Sequence, residues 1–206
     1  MKTLIFFGSP KQDGDTAALV QEFTAHLDGE IKVISNADDI APCTDCRYCW
    51  HKPGCSIADE MQGMYPYIEA CDNVVIASPI WFSSLSGPAL NLASRLQTLF
   101  AARRFRKDPV KMKEKNGVII LVGGQPGTEI GPTQAALTIL KLMNVCRPDA
   151  EKIYSLNTDR VPAGKDAAAL ARCREVAKRL NGAWRGSMRR DAGGSAPKPP
   201  TEECSP

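Results

Sequence analysis

The chain has 206 residues, 43% of them hydrophobic, which is enough to bury one sizeable core. Lysine and arginine number 26 against 23 acidic residues, and a net charge of only +3 excludes a general electrostatic case for nucleic acid or an anionic membrane surface. No secretory leader and no apolar stretch of membrane-spanning length is evident, so a cytoplasmic setting is expected, in which the eight cysteines stay reduced.

Residues 2–8 (KTLIFFG) open the chain with an apolar run of strand length. A helix is expected over 15–27, where Ala17, Ala18, Leu19, Val20, Phe23 and Leu27 recur at helical intervals. A second strand is read at 31–35 (IKVIS), then a segment of four clustered cysteines at 41–61, then a strand at 73–78 (NVVIAS). Leu90, Leu92, Ala93, Leu96, Leu99 and Phe100 predict one helix over 87–101. Strands at 117–123 (GVIILVG) and 152–156 (KIYSL) alternate with helices at 133–146 and 166–184. The central runs are continuously apolar, as expected of parallel strands covered on both faces. This alternation predicts one doubly wound α/β domain over 1–184 with helices on both sides of the sheet.

Beyond Trp184 the composition turns to Gly, Pro and charge, so 185–206 reads as a disordered tail carrying an exposed Cys204. Cys71 and Cys146 read as small core residues. The basic stretch 103–115 (RRFRKDPVKMKEK) reads as a solvated helix end and loop, with a contact to nucleotide phosphates as the sharper alternative.

In an open parallel sheet, ligands bind beyond the carboxyl ends of the strands. Three loops follow strands here. The first, 8–16 (GSPKQDGDT), combines Gly8 and Gly14 with the hydroxyls of Ser9 and Thr16 and the amino terminus of a helix, an anion cradle suited to one phosphate. It matches neither the Walker nor the GxGxxG pattern. The alternative is a plain turn with Asp15 as helix N-cap, and Asp13 and Asp15 bring negative charge near the cradle. The second loop, 78–88 (SPIWFSSLSGP), sets Trp81 and Phe82 in polar, turn-rich surroundings, as a wall for a flat ring or a contact with another subunit. The third, 123–132 (GGQPGTEIGP), has four glycines in ten positions and lets backbone approach a ligand. A flat mononucleotide fits all three, and flavin mononucleotide (FMN) fits best.

The cysteine segment places Cys43, Cys46, Cys49 and Cys55 within thirteen positions. Three at spacing three and a fourth after five residues favour a [4Fe–4S] cluster over structural zinc. Free thiols lining a loop or an interface remain the alternative, as does zinc.

These segments together resemble one family. GSPKQDGDT is similar to the phosphate loop of the NAD(P)H-dependent FMN reductases, a flavodoxin-like branch. ASPIWFSSLSGPALNLASRL (77–96) resembles that family's second signature, and PCTDCRYCWHKPGCSIADEM (42–61) resembles the compact cysteine segment of the iron–sulfur flavoproteins. The resemblance implies a flavodoxin-like, three-layer α/β/α domain with a five-stranded parallel sheet in the order 2-1-3-4-5. It implies non-covalent FMN, reduced by NAD(P)H, with electrons passed to a quinone, flavin, nitro compound or metal, in a homodimer or homotetramer. Carried over by position, Ser9, Lys11, Asp15 and Thr16 would surround the FMN phosphate. Pro79, Ile80, Trp81, Phe82 and Ser83 would border the ring, and Gly123 and Gly124 its other edge. An iron–sulfur electron carrier serving a redox protein is the alternative. Asp15, Trp81, Asn91 and Ser94 stand where the family usually carries Asn, Tyr, Lys and Asp, while Arg95 is retained. The chemistry would belong to the flavin, so no catalytic side chain is expected. His26 and His51 are read as surface or packing residues.

Overall fold

The computed structural model describes residues 1–145 and 150–193; Cys146, Cys204 and the tail from 194 lie outside them. The strands are β1 (Lys2–Phe7), β2 (Glu30–Ser35), β3 (Asn73–Trp81), β4 (Ser84–Leu85), β5 (Asn116–Val122) and β6 (Glu151–Ser155). Five run parallel in the order β2-β1-β3-β5-β6, the expected flavodoxin-like arrangement. The two-residue β4 is an addition that pairs antiparallel with the end of β3.

Parity within each strand sorts the apolar runs into two cores. Leu4, Phe6, Val74, Ile76, Ile119 and Leu121 face one side. Ile5, Phe7, Val75, Ala77, Val118 and Ile120 face the other. Successive residues of a strand point to opposite faces, so a strand sandwiched between helices is apolar along most of its length. The first face is covered by α3 (Met61–Ala70), α4 (Gly87–Ser94), α5 (Gln97–Ala101) and α6 (Ile130–Leu142). The second is covered by α1 (Asp15–Thr24) and α7 (Ala167–Gly193). A single turn, α2 (Tyr48–His51), lies within the cysteine segment. No helix among the described residues is long and apolar enough to cross a membrane.

Several boundaries differ from the sequence reading. The helix expected over 87–101 breaks at Arg95, because the Arg95, Leu96 and Leu99 amides each bond three residues back instead of four. The freed Arg95 carbonyl accepts the Tyr65 hydroxyl at 3.1 Å. After α5 the chain continues as a π-helical turn, Ala102–Arg106. α1 ends at Thr24, where Asn181 of α7 accepts from the Asp28 amide and donates to the His26 carbonyl. α7 runs nine residues past Trp184. Cys71 and Cys173 are fully buried among apolar side chains.

The basic stretch is largely structural. Arg103 donates to the Lys141 and Leu142 carbonyls at the end of α6, and Lys113 pairs with Asp72 at 2.6 Å. Arg106 donates to the Cys49 carbonyl.

Candidate functional site

The three unusual loops follow β1, β3 and β5 at one edge of the sheet, and Ser86 ties two of them together. Its hydroxyl donates to the Gly8 carbonyl at 2.5 Å and accepts from the Ala89 amide at 3.2 Å, capping α4. Its own amide donates to the Ser78 hydroxyl at 3.0 Å. The packing here leaves no room for a side chain at Gly8, where a Cβ would meet the Ala89 Cβ at 2.4 Å.

In the first loop, Ser9 and Thr16 are buried, and the Ser9 hydroxyl bridges the Lys11 carbonyl and amide. Among the described residues the Thr16 hydroxyl has no hydrogen-bond partner. It stands at the amino end of α1, whose first amides lack intrahelical acceptors. Lys11 is exposed, 3.9 Å from Asp13. Gly14 is the N-cap, not Asp15. The Asp15 carboxylate is engaged elsewhere, accepting from the Ala163 amide at 2.7 Å, so only the Asp15 amide remains for the loop. That corrects the capping role.

The second loop is a β-hairpin tip. Pro79, Ile80 and Trp81 belong to β3, and Phe82 and Ser83 form the two-residue turn into β4. Both turn residues have positive φ, 51° and 55°, the pair that a type I′ hairpin requires and that Asn-Gly normally supplies. Holding non-glycine residues there costs about 1–2 kcal/mol each. Phe82 is 103% exposed and Trp81 43%. The third loop packs against this tip: a Cβ on Gly131 would meet the Ser83 carbonyl at 2.3 Å, and one on Gly123 would meet Ile80 at 3.2 Å. Gly124 lies beneath the Asp159 carboxylate, 2.4 Å from where its Cβ would stand. The predicted residues of all three loops therefore gather at one rim, with the Asp15 carboxylate turned to Ala163.

The four clustered cysteines form a second locus. Cys43, Cys46, Cys49 and Cys55 are unpaired and line a single recess together with Arg95, Gln97 and Thr98. Burial pushes the Cys49 thiol up, and negative charge on Cys43, Cys55 and Cys46 adds to that. A hydrogen bond with Ser56 pulls Cys46 down. Among the described residues, no three Cys, His, Asp or Glu side chains are arranged to hold a single metal ion. The segment is bolted to the end of α4 and the chain that follows it. Ser94 accepts from the Cys43 amide at 2.9 Å, Thr98 donates to the Gly54 carbonyl at 3.0 Å, and Trp50 stacks on Phe105 at 4.0 Å.

At the base of this segment lies the buried pair Arg95–Asp59. Burial raises the Asp59 carboxyl, but hydrogen bonds from Arg95 and the Ala41 amide outweigh it and hold the group below the usual carboxylate range. Burial opposes the Arg95 charge, and the Asp59 bond more than restores it.

The profile described as NADPH-dependent FMN reductase matches residues 1–153. The chain belongs to that family. An iron-sulfur flavoprotein from Methanocaldococcus jannaschii is 30% identical over 103 residues, covering 48% of this chain and 53% of that protein. One from Methanosarcina thermophila is 28% identical over 130 residues, covering 60% and 64%. The chain thus spans about half to two thirds of the length of these curated relatives. Among solved structures, an FMN-dependent NADH-azoreductase from Bacillus anthracis in complex with FMN superposes with a TM-score of 0.61 at 17% identity, over 87% of this chain and 99% of that one. An NAD(P)H:quinone oxidoreductase from Methanothermobacter marburgensis gives the same TM-score and identity, over 87% and 96%. These structural likenesses are of fold.

In this FMN reductase family member, three features of the site were not found by sequence reasoning: the junction at Ser86, the Arg95–Asp59 pair and the placement of Asp159. Only Arg95 left a signal. It interrupts the apolar positions Leu92, Leu96 and Leu99 on the inner face of a helix, where a charge requires a buried partner.

Proposed function

We propose that this chain is an FMN-dependent oxidoreductase that takes reducing equivalents from NAD(P)H and passes them to a small acceptor. Quinones, free flavins, nitro compounds and metal ions are the acceptor classes. Bound FMN would supply the hydride chemistry; the protein binds and orients. Ser9, Thr16, Lys11 and the free amides of α1 would hold the phosphate. Pro79 to Ser83 would border the ring, with Gly123 and Gly124 presenting bare backbone at its edge. The observation that carries this reading is the hydroxyl of Thr16, without a hydrogen-bond partner among the described residues, at a helix amino terminus on the same rim as an aromatic hairpin tip held in left-handed backbone. A protein tolerates such strain where function uses it. Family membership supports the reading, as do the names of the azoreductase and quinone oxidoreductase that share the fold. The exposed Ile130 suits a homodimer or homotetramer that covers it.

A second reading, an iron–sulfur flavoprotein electron carrier, is favoured by four thiols around one recess. In a [4Fe–4S] cluster each thiolate takes a different iron, so the sulfurs surround a volume. Zinc draws four sulfurs to about 2.3 Å from one point, a convergence these side chains do not have. Titration of FMN into the protein, followed by quenching of flavin fluorescence, tests the shared premise; no quenching would refute both readings. NADPH oxidation with a small acceptor by iron-free protein supports the first. About four irons per chain after anaerobic purification, with slow turnover, supports the second.

A further inference from the structure

We propose that Arg95 is a positioning residue for the cysteine site: it closes the neck of the segment and holds Cys55 in place by a hydrogen bond to its sulfur. The proposal rests on the iron–sulfur reading of the recess. Arg95 has a fully buried side chain and lines the recess at the far end of α4 from Ser86. One terminal nitrogen donates to the Ala41 carbonyl at 2.8 Å and to Asp59. The other donates to Asp59 at 3.1 Å, to the Ile57 carbonyl at 3.4 Å and to the Cys55 sulfur at 3.5 Å. Residue 41 begins the segment and residues 57 and 59 end it, so one guanidinium joins its two ends and its last cysteine. Asp59 completes the neck by accepting from the Ala41 amide at 3.0 Å and the Met61 amide at 3.1 Å.

A residue that only packed would not leave a buried donor without an acceptor, yet the Arg95 Nε–H has none among the described residues. An unpaired buried donor is costly, and Arg95 lines the recess that a filled site would supply with sulfur acceptors. The planar fork of arginine meets several acceptors from one fixed position; a lysine ammonium has neither that shape nor that reach. Hydrogen bonds to ligand sulfurs and nearby positive charge both favour the reduced cluster, because they stabilise the electron added to it. Arg95 therefore sets occupancy of the fourth corner and the potential of the cluster together.

The test uses the full chain with FMN, purified and reconstituted without oxygen. Iron and sulfide are measured per chain, and the cluster potential is followed by EPR-monitored redox titration. Wild type is expected to hold about four irons. Arg95→Lys keeps the charge and loses the fork. It should either drop below four irons, as is expected of Cys55→Ser, or keep them with the reduced fraction at a fixed potential lowered about tenfold, equal to 59 mV for one electron. FMN content reports whether the sheet edge has folded. If Arg95→Lys fails that check, Asp59→Asn replaces it, since it keeps the side-chain shape and removes the charge that aims Arg95. For Asp59→Asn the readout is iron per chain, which should fall below about four; full occupancy overturns the role of Arg95, and the potential does not serve, because loss of a carboxylate charge itself favours the reduced cluster. An iron-replete wild type with an iron-replete variant of unchanged potential overturns the role of Arg95 and leaves the iron–sulfur reading standing. An iron-free wild type overturns both.

Discussion

Phe82 offers a clean separation of binding from folding. Its ring stands clear of the rest of the chain, 103% exposed, so Phe82→Ala removes no packing in the free protein. An exposed substitution of this kind changes stability by less than about 0.5 kcal/mol. For a domain of this size that is a shift in Tm of under about 2 °C. If a flavin ring lies against Phe82, one face of the side chain is hidden on binding, about 100 Å², roughly half of what an aromatic residue can bury. At about 25 cal/mol per Å² this is about 2.5 kcal/mol, or roughly 60-fold in Kd. The assay is flavin-fluorescence quenching on apo protein, paired with thermal melts of the same samples. An affinity within twofold of wild type would refute the placement of the ring. A Tm lowered by many degrees would show instead that the side chain serves the fold.

Three further outcomes are expected. Gly8→Ala drives a methyl group into Ala89 at 2.4 Å, and overpacking of this kind costs about 1–3 kcal/mol, read as a lowered Tm and weaker FMN retention. Ser86→Ala removes a helix cap worth about 1 kcal/mol and strands the Gly8 carbonyl, so Tm should fall by at least about 2–4 °C. Asp59 carries a carboxyl lowered from its ordinary 3.8, so its contribution to stability is present above that value and is lost as pH falls through the lower, folded value. Melts from pH 7 down to pH 3 should therefore show the gap between wild type and Asp59→Asn closing at the acid end; a gap independent of pH would refute the role of its charge.

The sheet was legible in the sequence because a strand covered on both faces is apolar along most of its length, as are residues 74–77 and 118–122. The loops at 8–16 and 78–88 stood out by composition and by their places after strands. α3 was not read, because Gly63 and Pro66 interrupt the spacing of Met61, Met64 and Ile68. The hairpin tip was missed because Phe-Ser lacks the Gly or Asn that normally marks a left-handed turn. The single helix expected over 87–101 failed at Arg95, where a tertiary contact from Tyr65 competes for the backbone carbonyl. Local periodicity carries no record of such a contact. The bond from the Asp15 carboxylate to Ala163, 148 residues away in the chain, is equally invisible to a local reading.

The eight-residue α4, with Ser86 at its head and Arg95 at its foot, makes a rigid strut between two chemically unlike neighbourhoods. Nine residue steps at about 1.5 Å set them about 14 Å apart. The strut also fixes a bearing. Adding or deleting one residue would swing Arg95 through about 100° while the loops at the head stayed put. Neither neighbourhood can drift in evolution, or be transplanted by an engineer, without the other: residues 86–95 and the cysteine segment form one inheritable part whose length comes only in whole turns.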